Sequence, residues 1–121
     1  MEKRQHARYQ PKEKTYLVFR PGFQTLGEIR DISQGGVCLD CITDKDFSKD
    51  EDCLIDIFLS NGAFNLAKLK GKVVRDTVVE ETKTLSPPMI TRRLALQFGE
   101  LLPLQQVALA SFIAAQKEGH A

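Results

Sequence analysis

The chain has 121 residues, 42% hydrophobic and 27% charged, with a net charge of +1, enough for one compact domain and too little for two ordinary ones. That charge balance excludes a nucleic-acid binder driven by bulk positive charge, and no apolar run approaches the roughly 18 residues of a membrane span. The charged start, MEKRQHARYQPKEK, lacks the apolar stretch of a signal peptide, and the three cysteines are odd in number, so reduced thiols in the cytoplasm are expected.

Residues 1–13 carry no apolar periodicity and read as a flexible N-terminal arm; residues 14–121 read as the folded domain. Tyr16 to Phe19 and Thr25 to Ile32 form two strands joined by a turn at Pro21 and Gly22. Val37 to Cys41 is a third. Cys53 to Leu59 alternates strictly, with Cys53, Ile55, Ile57 and Leu59 on one face. In the next run Ala67, Leu69, Gly71 and Val73 face one way and Lys68, Lys70 and Lys72 the other. Residues 76–92 contain Pro87 and Pro88, which a central strand cannot hold, and read as a long, partly extended hairpin loop. Arg93 to Phe98 is the last strand.

From Pro103 the period becomes helical, over about 103–117, with Pro103 suited to the first turn and Gly119 to the stop. The apolar arc is far wider than one core-facing stripe requires. Leu109, Phe112 and Ile113 are therefore candidate contacts for a protein partner or a second copy of the chain. About six short strands and one helix predict a mainly β fold, an antiparallel barrel or curled sheet plugged or flanked by the helix.

Little points to catalysis. His6 and His120 lie in the termini, and no nucleophile-elbow, phosphate-loop or zinc-protease motif is present. The acidic run from Asp44 to Asp52 lacks the glycine and terminal glutamate of a calcium loop. Cys38 and Cys41, three apart on a strand, point to opposite faces, so a shared zinc ion is not expected. No cofactor is predicted. The lysine face of Lys68, Lys70 and Lys72 reads as a solvated strand that discourages edge pairing.

Two patterns fit together chemically. Arg4 and Arg8 are four residues apart in the arm, and Asp31, Ser33 and Gly36 form D-x-S-x-x-G. Arginine donates a planar fork to guanine O6 and N7 or to phosphate oxygens. The Asp31 carboxylate can accept from the guanine N1 and N2 donors, and the Ser33 hydroxyl can do either. Gly35 and Gly36 permit positive φ and close approach to the backbone. A guanine nucleotide with more than one phosphate group is the matching ligand.

The pair of motifs, with Tyr9 and Pro11 following the second arginine, resembles the PilZ domain, the bacterial receptor module for cyclic di-GMP. The resemblance spans nearly the whole chain. It implies a six-stranded antiparallel β-barrel with a C-terminal helix, Arg4 and Arg8 gripping guanine and phosphate, and Asp31, Ser33 and Gly36 forming the platform. With three residues ahead of Arg4, a stand-alone receptor or adaptor is expected, one in which the arm couples ligand binding to a partner protein. The alternatives are a PilZ-type adaptor that works by protein contacts alone and, more remotely, an OB-like nucleic-acid binder using the lysine face.

Overall fold

The computed structural model describes residues 8–20, 25–43, 52–82, 84 and 88–118. Six strands, β1 (Thr15–Arg20), β2 (Leu26–Ile32), β3 (Gly36–Thr43), β4 (Asp52–Leu59), β5 (Asn65–Thr82) and β6 (Met89–Phe98), precede one helix, α1 (Pro103–Glu118). The strands close into an antiparallel barrel in the order β1-β2-β3-β6-β5-β4. Closure follows from β1, which pairs with β2 on one side and β4 on the other. This is the architecture the strand pattern and the resemblance implied.

Alternation fills the barrel. Leu17 and Phe19, Leu39 and Cys41, Ile55 and Ile57, and Leu94 and Leu96 point inward and are buried. Cys38 and Cys41 do lie on opposite faces, Cys41 in the core and Cys38 half-buried outside it, and all three cysteines are free thiols. Burial pushes the Cys41 thiol up to about 11.

On β5 the alternation breaks near Lys68, for a reason visible in the register. Ile55 pairs with Leu69 and Ile57 with Leu66, so β5 carries an extra residue opposite Asp56. Such a bulge needs an unusual backbone, and Lys68 supplies it at φ 59°. Asp56, 6% exposed, holds the bulge in place. Its Oδ1 accepts from the Lys68 amide at 2.9 Å, while Arg20 Nε and Nη2 donate to its two oxygens at 2.8 and 2.9 Å. Lys68, Lys70 and Lys72 all stay exposed, as expected, but Leu66 takes the inward place and Ala67 is only half-buried.

Two expectations are corrected. Residues 76–82 and 89–92 are paired strand rather than loop: β5 and β6 run together from Gly71–Phe98 to Thr82–Met89. The β4 partner ends at Lys72, so beyond it the described pairings of β5 are with β6 alone. Its side chains there are mostly exposed on both faces, and this removes the alternation that would reveal a strand. Arg92 ties the extension to β3, with Nε donating to Thr43 Oγ1 at 3.0 Å and Nη1 to Asp76 at 3.3 Å.

The second correction concerns α1. Leu109, Phe112 and Ile113, expected to meet a partner, are buried against the barrel at 1%, 4% and 6% exposure. Phe64 stacks on Phe112 with centroids 4.4 Å apart, and the buried Gln116 accepts from the Glu13 amide at 3.0 Å. A helix apolar around most of its circumference leaves the choice of buried arc to packing, and the arc with the largest side chains buries the most area. Pro103 does stand in the first turn. Gln105 Oε1 accepts from the Leu102 amide at 2.9 Å, the reaching-back half of a capping box, and Gln105 Nε2 donates to the carbonyls of Ala67 and Lys68. Arg20, Asp56, the bulge and the helix start thus form one chain of hydrogen bonds. Among the described residues no helix is long and apolar enough to cross a membrane.

Candidate functional site

The site is built at one end of β2 and β3. Between Ile29 and Asp31 the register with β3 slips, Ile29 opposing Leu39 and Asp31 opposing Cys38. This extra residue keeps both Arg30 and Asp31 off the core while Ile32 turns inward, fully buried. The bulge therefore aims the Asp31 carboxylate outward.

The turn that follows is organised by Ser33, which is 7% exposed. Its Oγ accepts from the amides of Gly35 and Gly36 at 3.1 and 3.2 Å, and its own amide donates to the Gly36 carbonyl at 2.9 Å. The Gly35 carbonyl accepts from the Phe98 amide at 2.9 Å, fastening the turn to the end of β6. Neither Gly35 nor Gly36 adopts positive φ; among the described glycines only Gly62 does. Gly36 is required for another reason, because a Cβ there would overlap the Leu96 carbonyl oxygen of β6.

The arm reaches this turn. Tyr9 exchanges both backbone hydrogen bonds with Ile32, at 2.9 Å each, and its ring packs on the edge of the core. That bridge sets Arg8 beside Asp31, with Nε 3.9 Å from Oδ1 and both side chains partly exposed. Arg4 lies outside the described residues. Arg8, Asp31, Ser33, Gly35 and Gly36 therefore come together, and they line a cleft of about 790 Å³.

Sequence reasoning missed the far wall and floor of that cleft. Cys38, Ala95 and Gln97 line it from β3 and β6, with Val74 from β5 and Gln106 from α1. Cys38 is two residues past Gly36 on an alternating strand, so its outward direction was readable. Its neighbour Ala95 comes from the β3–β6 register, which no local signal encodes. Burial, then the Asp31 carboxylate, raise the Cys38 thiol above its ordinary value, so it stays protonated. Beyond it, Asp40 accepts from Arg93 Nε and Nη2 at 2.9 and 3.2 Å and from Arg30 Nη1 at 3.3 Å. Arg93, with a smaller contribution from Arg30, holds that carboxyl below the usual range.

A barrel of this topology with a D-x-S-x-x-G turn facing an arginine is a specific combination, and the family model for the PilZ domain matches residues 2–115. The chain belongs to the PilZ family. PilZ domains are non-catalytic receptor modules for cyclic di-GMP. The PilZ domain of YcgR from Escherichia coli, described with c-di-GMP, is similar over 98% of this chain and 94% of its own, at a TM-score of 0.68 and 14% identity. MrkH, described as a c-di-GMP-dependent transcription regulatory factor, gives a TM-score of 0.67 at 19% identity over 98% of this chain and 52% of its own. The Bacillus subtilis inhibitor of motility gives 0.63 at 18% identity, over 100% of this chain and 55% of its own. The chain thus spans about half the length of these last two. No curated protein matches by sequence.

Proposed function

We propose that this PilZ domain binds cyclic di-GMP in the cleft beside the β2–β3 turn. The observation that carries the reading is the meeting of Arg8 and Asp31 at the rim of that cleft. An arginine fork and a carboxylate facing one space are complementary to the two hydrogen-bonding edges of guanine, and arginine also accepts phosphate. Arg4 supplies the second fork. Ser33 acts indirectly, since its hydroxyl is committed to the Gly35 and Gly36 amides: it holds the platform in shape. Family membership and the likeness to a PilZ domain described with c-di-GMP support the reading.

The Tyr9–Ile32 bridge holds that part of the arm against the barrel before any ligand arrives, and each residue already in place spares about 1–2 kcal/mol of ordering. The same arm touches α1 through Glu13 and Gln116. Movement of Arg8 onto the nucleotide would therefore be felt at the helix, and this links the cleft to a surface that a partner protein can read. As a receptor for a bacterial second messenger, the protein would work in the cytoplasm.

Thermal melting with and without cyclic di-GMP tests the assignment. Ligand at a hundredfold excess over Kd adds about 2.7 kcal/mol, which for a domain of this size raises Tm by about 10 °C. Arg8→Ala and Asp31→Ala each lose at least ~10-fold in affinity while their ligand-free Tm stays within a few degrees, because both side chains are partly exposed. An unchanged wild-type Tm at millimolar nucleotide would leave the adaptor that acts by protein contacts alone.

A further inference from the structure

The solvent face of α1 is unusual in carrying no charge before its last two residues, Lys117 and Glu118. From Leu101 to Gln116 the sequence contains no Asp, Glu, Lys, Arg or His. With Leu109, Phe112, Ile113 and Gln116 turned into the barrel, the opposite face presents Leu104 at 84% exposure and Val107 at 65%. Ser111, Ala114 and Ala115, also exposed, continue the same strip at helical spacing. A surface helix ordinarily carries its polar residues on this face.

We infer that this strip is a self-association surface on which a second copy of the chain docks with its helix antiparallel. The choice of occupant rests on complementarity within the strip. Its large side chains, Leu104 and Val107, lie towards the N-terminus and its small ones, Ser111, Ala114 and Ala115, towards the C-terminus. In an antiparallel pair centred near Leu109, Leu104 of each copy falls against Ala114 and Ala115 of the other, and Val107 falls against Ser111. Large meets small at every level, as ridges-into-grooves packing requires. Between residues 101 and 116 the two-fold pairing also brings no charge into a dry interface, the acidic Glu118 falling at the outer end of the pair. A membrane surface does not fit, because an interfacial helix needs a basic polar face and this one has no cation along the strip. One helix face is below the roughly 1,000 Å² of a stable interface, so the dimer is weak and forms at tens to hundreds of micromolar.

Sedimentation equilibrium of the full chain between about 10 µM and 1 mM tests this, with melting curves as the control for folding. The wild-type protein should show a reversible monomer–dimer equilibrium. Val107→Glu and Ser111→Lys, both at exposed positions, should each weaken it at least tenfold without lowering Tm appreciably. Mixing the two variants should restore dimers, since the antiparallel register sets the introduced carboxylate of one against the introduced amine of the other. A chain that stays monomeric at 1 mM overturns the proposal, and so does association that survives Val107→Glu. Failure of the mixture to re-form dimers overturns the antiparallel register.

Discussion

At the scale of single residues, Gly36 and Ser33 separate folding from binding. Gly36→Ala sets a methyl group against the Leu96 carbonyl, which only a shift of backbone can relieve. The expected result is a loss of about 1–3 kcal/mol, read as a clear fall in Tm before any ligand is added. Ser33→Ala leaves the Gly35 and Gly36 amides without their acceptor, costing about 1–3 kcal/mol where those amides stay shielded from water. Chemical denaturation measures both losses. The motif in the sequence named residues that the fold does bring together along one cleft, and the structure adds to the reasons for two of them. Glycine was read as permitting positive φ or close approach to the backbone, and at Gly36 it is the close approach, of β6, that the turn uses; Ser33, read as a polar contact, also serves as the internal acceptor of the turn. The contact of Gly36 depends on β6, which arrives some sixty residues later in the chain, whereas the acceptor role of Ser33 lies within the turn itself.

At the scale of elements, the bulge on β5 is where the helix is tied to the barrel. Asp56 holds the Lys68 amide, and Gln105 caps α1 while donating to the bulge carbonyls. Gln105→Ala removes both roles and should cost about 1–2 kcal/mol. Hydrogen exchange should show the first turn of α1 opening before the rest. The short strands were legible because each has one face in the core and one outside, which imposes alternation. The outer half of β5 was not legible, because a two-stranded extension exposed on both faces has no buried side to mark. For α1 the existence and start of the helix were readable from Pro103. Its buried face was not: with no charged residue in the apolar stretch to mark the solvent side, Phe112 was assigned to a partner, whereas the barrel mouth buries it and leaves Val107 exposed.

At the scale of the whole molecule, its buried and partly buried carboxylates make stability depend on acid. Hydrogen bonds from Arg93, with its nearby charge, hold Asp40 below the ordinary range despite partial burial. For Asp56, burial pushes the carboxyl up, but the hydrogen bonds from Arg20 and the Lys68 amide outweigh it and the net shift is downward. In both, the folded protein favours the ionised form. Their contribution is therefore complete above the unfolded carboxyl value and disappears as pH falls through the lower folded value. Tm should drop below about pH 4, and Asp56→Asn should flatten that acid dependence while lowering stability at neutral pH. The central claim, that the cleft is a receptor site for cyclic di-GMP, is tested most directly by calorimetric titration of the wild-type chain with cyclic di-GMP and, in parallel, with cyclic di-AMP. Saturable heat with the guanine nucleotide and none with the adenine one is the predicted result. Silence with cyclic di-GMP at tens of micromolar, or equal heat from both nucleotides, would contradict it.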